Sequence, residues 1–156
     1  MKKITTLMKK IIFLLLTVLS ISCQMNTSTD QEPEKLWQTN VQEAIEIAKE
    51  TGKPIFAFFT GKEWCSWCKK LDKQILSQQP FIEYAKENLI LLELDFPRGR
   101  RDLPKDQLVL ARKFQIKGYP TVIVMDSETN LLGQTGFEYM TPEQYVAHIQ
   151  SFIKKK

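Results

Sequence analysis

The chain has 156 residues, 43% hydrophobic and 26% charged, with 22 Lys and Arg against 18 Asp and Glu, a normal size for one domain with a single core. The formal charge of +4 sits at the start of the chain: residues 1–22 carry four lysines and no acid, which leaves 18 basic groups (22 less 4) against 18 acidic ones in the remaining 134 residues (156 less 22). A neutral remainder argues against nucleic acid or acidic substrates as partners and assigns the surplus charge to targeting.

Lys2, Lys3, Lys9 and Lys10 precede an apolar run from Ile11 to Leu19, and Ser20 and Ser22 lead into Cys23, the order of a secretory signal. The run falls short of the ~20 apolar residues that a spanning helix needs. A Cys at the cleavage point resembles the lipobox of bacterial lipoproteins, with Ser20 where that motif prefers Leu and Leu19 one place early. That resemblance implies a lipoprotein signal peptide over residues 1–22, lipidation of Cys23, and a protein anchored on the periplasmic side of a bacterial membrane. Cleavage by an ordinary signal peptidase is the alternative. Residues 23–35 are mostly Gln, Asn, Ser, Thr and Glu, too polar to fold, and read as a flexible tether.

A domain is expected over residues 36–156. Asn40 or Thr39 can cap a helix that places Val41, Ala44, Ile45 and Ala48 on one face and stops at Gly52. Ile55 to Thr60 is a continuous apolar run between Pro54 and Gly61, the pattern of a buried central strand. Leu71, Ile75, Phe81, Ile82 and Ala85 continue at helical spacing with a break around Pro80. Leu89 to Leu94 is a second strand, and Phe96 to Pro104 has the composition of an exposed basic loop. Asp106 can cap a short helix through Phe114. Thr121 to Met125 and Leu131 to Phe137 form a hairpin around Ser127 to Asn130. Thr141, Pro142 and Gln144 open a last helix with a capping box, with Tyr145, Val146, Ile149 and Phe152 on its apolar face.

Between the first strand and the broken helix stands Trp64-Cys65-Ser66-Trp67-Cys68-Lys69. Two thiols spaced C-x-x-C can close a disulfide across one helical turn and act as a reversible two-electron switch. The same spacing supplies half of many zinc sites and, when His follows, attaches haem. Lys69 follows, so haem is excluded. Structural zinc wants two more Cys or His ligands, and the chain holds only Cys23 and His148 besides this pair. A redox dithiol is therefore preferred, with neither metal nor cofactor.

With Gly118, Tyr119, Pro120 and Thr121 placed just before a strand and hairpin, the C-x-x-C motif makes the chain from about Leu36 to Lys155 resemble the thioredoxin superfamily, and in particular its exported bacterial members. The resemblance implies an α/β fold with a central mixed sheet and helices on both faces, a monomer, and a thiol-disulfide oxidoreductase acting on protein thiols and disulfides. Cys65 becomes the nucleophile and Cys68 the resolving, more buried thiol. Pro120 becomes a cis proline beside the dithiol, in a client groove with Tyr119, Trp64 and the exposed Trp67; Trp64 chiefly packs beneath. Lipid-tethered relatives imply a reducing or isomerising direction with electrons from a membrane partner, against two alternatives: a client-binding module, and a structural lipoprotein with a static disulfide. Typical members carry a buried Asp on the strand before the dithiol, with a Lys partner on the next strand. Alignment through Glu63 and Trp64 puts Ala57 at the acid and Leu91 or Leu92 at its partner, so the pair is expected to be lost. Glu63 reads as a solvated carboxylate, Asp95 as a strand-end residue, His148 as a helix-surface residue, and the loop arginines as solvated charge.

Overall fold

The computed structural model describes residues 36–99 and 102–154. The expected signal peptide over residues 1–22, the expected lipidation site Cys23 and the expected tether over residues 23–35 lie outside the described residues. Five strands form one mixed sheet in the order β1-β3-β2-β4-β5, with β1 Trp37–Gln38, β2 Ile55–Thr60, β3 Ile90–Asp95, β4 Thr121–Met125 and β5 Leu131–Thr135. β3 runs parallel to both β1 and β2, while β2–β4 and β4–β5 are antiparallel. β2 and β4 are buried along their whole length, as strands covered on both faces must be.

Five α-helices do the covering: α1 Val41–Thr51, α2 Ser66–Leu71, α3 Gln79–Asn88, α4 Lys105–Lys113 and α5 Pro142–Ile153. Because side chains alternate along a strand, β2 divides between two cores. Phe56 and Phe58 join Cys65, Cys68, Leu71, Phe81 and Tyr145 on the face of α2, α3 and α5. Ile55, Ala57 and Phe59 join Val41, Ala44, Ala48 and Leu110 on the face of α1 and α4.

The expected helix signals appear where the chemistry puts them. Asn40 Oδ1 accepts from the N–H groups of Gln42 and Glu43, and Gly52 closes α1 in the left-handed region at φ 72°, which glycine enters without a Cβ clash. Thr141 and Gln144 form the capping box of α5. Three expectations need correction. Pro104, not Asp106, precedes α4; Asp106 lies inside the first turn and accepts from the Gln107 N–H. The helical break falls before Pro80, which occupies the first turn of α3, where a missing N–H costs nothing. Between α2 and α3 lies a π-helical turn, Asp72–Leu76, and β5 stops at Thr135 rather than Phe137. The two-residue β1 carries no periodic signal and was not expected.

Candidate active site

The dithiol stands where β2 hands over to α2. The chain leaves Thr60 through a tight turn in which Gly61 O accepts from the N–H groups of Trp64 and Cys65. Gly61 is needed there because the Trp64 ring lies where its Cβ would be. Cys65 is the N-cap of α2 and Cys68 lies one turn in, with Cα atoms 5.2 Å apart and the sulfurs joined in a disulfide. Cys65 Sγ accepts the Cys68 N–H at 3.1 Å. A backbone donor aimed at this sulfur, at a helix start, favours negative charge on it when the bond is open. Both cysteines are buried, Cys65 at 5% exposure and Cys68 at 2%.

Two aromatic groups flank the pair. On one side, Trp64 donates its indole N–H to Phe96 O at 2.8 Å and meets Tyr119 edge-on at 5.7 Å, while Phe96 and Tyr119 lie 5.3 Å apart. Burial raises the Tyr119 phenol above its ordinary range. Arg98 sits over the Trp64 ring at 4.6 Å. This corrects the reading of Arg98 as merely solvated, because Phe96 and Arg98, just after β3, lie against Trp64 of the dithiol turn. On the other side, Trp67 is 48% exposed and packs against Phe137 at 5.3 Å.

The Tyr119–Pro120 peptide is cis, as expected. Pro120 and Trp67 line an open cleft of about 450 Å³ with Thr135, Gly136, Phe137 and Tyr139. Trp64 and Tyr119 lie outside that lining, in the Phe96 group. The wall after β5 is tied from below: the buried Tyr145 hydroxyl donates to Gly136 O at 3.1 Å, and burial raises its phenol far above the ordinary range. A Cβ on Gly136 would stand 2.8 Å from Pro120 O. Since that neighbour is backbone, Gly136→Ala is expected to push the wall off Pro120, at about 1–3 kcal/mol of stability. A lowered urea midpoint at unchanged slope, with weaker turnover of protein disulfides, checks it.

The remaining titratable residues fall into place around the turn. Glu63 is exposed, and its carbonyl accepts from Lys69 Nζ. Lys62 Nζ pairs with Glu93 Oε2 at 2.7 Å, and Asp95 Oδ1 accepts the Lys62 N–H. The Glu93 hydrogen bond holds the Lys62 ammonium above the ordinary lysine range against partial desolvation. His148 packs on Phe152 at 4.7 Å and faces Tyr145 at 6.3 Å, on α5. Ala57 is not beside the dithiol. It faces the α1 and α4 core, and Phe58 occupies the dithiol face instead. The neighbour of Phe58 on β3 is Glu93, not Leu91 or Leu92. Sequence alignment missed this by one residue, and a one-residue slip in a strand exchanges the two faces. Among the described residues, no group of three or more His, Cys, Asp or Glu is placed to hold a metal.

A Cys-x-x-Cys pair capping a helix after a central strand, with a cis proline sharing a cleft with the Trp between the cysteines, on a mixed sheet covered on both faces, defines a thioredoxin-type redox domain. Comparison with known proteins agrees: a family model described as a thioredoxin-like domain matches residues 41–153, and the chain belongs to that family. It is 35% identical over 116 residues to the disulfide bond reductase DsbH of Chlamydia pneumoniae, covering 72% of this chain and 69% of that one. It is also 25% identical over 130 residues to the thioredoxin-related protein DsbJ of the same organism, of which the match spans 37%. Among solved structures, a DsbH oxidoreductase superposes with a TM-score of 0.69 at 34% identity, covering 77% of this chain and 85% of the other. A thioredoxin from Thermus thermophilus shares the fold at a TM-score of 0.60 and 18% identity, covering 76% of this chain and 87% of its own.

Proposed function

We propose that this thiol-disulfide oxidoreductase works in the reducing direction on protein disulfides outside the cytoplasm, with Cys65 as nucleophile and Cys68 as resolving thiol. The observation that carries the assignment of roles is the hydrogen bond from the Cys68 N–H to Cys65 Sγ at the start of α2. The Cys65 thiolate attacks one sulfur of a client disulfide, forming a Cys65–client bond and expelling the other client sulfur, which takes a proton. Cys68, once deprotonated, attacks Cys65 Sγ; the Cys65–Cys68 disulfide forms and the second client thiol leaves. Two electrons pass to the client, and the disulfide seen here is the product state.

The reducing direction is supported by the likeness to a protein named a disulfide bond reductase. Export follows from residues 1–22, and a lipid anchor at Cys23 would hold the domain at a membrane through residues 23–35, within reach of a membrane electron donor. The cleft of Pro120 and Trp67 receives the client as an extended segment, with Trp64 and Tyr119 supporting it, and the domain acts as a monomer. Equilibration against glutathione tests the direction. A potential near that of thioredoxin, about −270 mV, is expected, and one near −120 mV, as in the strong oxidant DsbA, overturns it. Fractionation tests the anchor: Cys23→Ser should release the protein from membranes.

A further inference from the structure

The cleft wall contains an arrangement that disulfide exchange does not use. Lys70 Nζ, from α2, stands 4.9 Å from the ring centroid of each of Trp67, Phe137 and Tyr139. The rings also meet one another, Trp67 with Phe137 at 5.3 Å and Phe137 with Tyr139 at 5.2 Å. Aromatic faces carry negative charge density, and a cation within ~6 Å of a ring centroid is attracted to it. Three rings around one ammonium therefore form a cation cage. Lys70 makes no ion pair among the described residues, where the single salt bridge joins Lys62 to Glu93. Tyr139 is 82% exposed and Trp67 48%, so the cage opens to solvent. Three of its parts, Trp67, Phe137 and Tyr139, line the same cleft as Pro120.

We propose that this cage is a specificity subsite for a Lys or Arg side chain of the client, close in sequence to the client disulfide, and that Lys70 fills it in the free protein. The proposal rests on the reading of the Pro120 cleft as the client groove. Trp67 lies between the two cysteines, so a side chain seated on it belongs to a residue near the attacked sulfur. Exchange costs little, because the displaced Lys70 ammonium returns to water as the client cation leaves it. An acidic client side chain at that place gains nothing from the ring faces, and an apolar one finds the cage occupied by charge.

The test uses the full protein, its dithiol reduced beforehand, in single-turnover reaction with three disulfide-bonded peptides that differ at one position near the cysteine: Lys, Leu or Glu. One exposed cation–ring contact is worth about 0.5–1 kcal/mol, which at tenfold per 1.4 kcal/mol is about two- to fivefold; because Lys70 gives up its own contact in the exchange, the second-order rate constant for the Lys peptide should exceed that for the Leu peptide only slightly in the wild type and by the full factor once Lys70 is gone. Lys70→Gln empties the cage and should raise the ratio to that two- to fivefold range. Tyr139→Leu keeps every charge and removes a ring, and should bring the ratio toward one. Equal rates for the Lys and Leu peptides in Lys70→Gln, a preference for Leu, or a Lys70→Gln ratio unmoved by adding Tyr139→Leu would overturn the subsite. Stoichiometric reduction of 2-hydroxyethyl disulfide by the pre-reduced protein, a substrate with no side chain to place, separates the two levels: reduction there with no Lys preference defeats the cage alone, and no reduction of any disulfide defeats the oxidoreductase reading beneath it.

Discussion

Replacing Cys68 with Ser will trap the protein on its clients, while replacing Cys65 with Ser will leave it unable to form any mixed disulfide. The difference follows from position. Cys65 Sγ is at the helix start with a backbone N–H directed at it, whereas Cys68 lies one turn in, inside the core that holds Phe58 and Leu71. Without Cys68 the first exchange still proceeds, and only an external thiol can break the resulting bond. Turnover should fall to the uncatalysed rate in both variants. Non-reducing electrophoresis should show client adducts only for Cys68→Ser. Adducts in both variants would mean that the two sulfurs are interchangeable. Adducts in neither, with client affinity retained, would favour a non-covalent client-binding module, and a wild-type disulfide that resists mild reductants would favour a static structural bond.

The second large effect concerns the proton of Cys68. Buried thiols ionise at a cost because the anion loses its hydration, and the β2 residues on the dithiol face are Phe56 and Phe58, both buried, with no acid between them. Decay of the Cys65 mixed disulfide should therefore accelerate as pH rises through the alkaline range, close to tenfold per unit while the thiolate is the minor form. Phe58→Asp should flatten the profile by supplying a proton acceptor, and Phe58→Asn, of similar size but without a titratable group, should not. Both variants lose a buried ring, and the lost packing should cost about 3–5 kcal/mol, read as a lower urea midpoint. If that unfolds them, the wild-type profile alone decides, by stopped-flow. A rate already flat with pH would overturn this and mean that another group takes the proton; on β3 the register position of Phe58 is held by Glu93, paired with Lys62 at 2.7 Å.

That pairing shows where sequence reading reached its limit. Residue types in their order determined the elements: the continuous apolar run from Ile55 to Thr60 is β2 at the same bounds, and Thr121 to Met125 is β4. Asn40, Gly52 and the Thr141 to Gln144 box mark helix ends because their signals are local, a side-chain oxygen reaching an N–H two or three residues on, or a left-handed φ. The dithiol spacing and the Gly118 to Thr121 stretch were legible for the same reason, each carrying its chemistry within a few residues.

Tertiary structure alone decided which side chains meet across the sheet. Whether Ala57 or Phe58 faces Cys68 depends on how the turn through Gly61 is accommodated, and one residue of difference in a period-two strand exchanges the faces. Arg98 reaches Trp64 only because the residues just after β3 lie against the active-site turn. Lys70 is more than sixty positions before Phe137 and Tyr139 in the chain and meets them because α2 lies beside the segment that follows β5. No local pattern encodes such a contact: it exists only once the cores on the two faces of the sheet have fixed the helices and strands that carry those side chains.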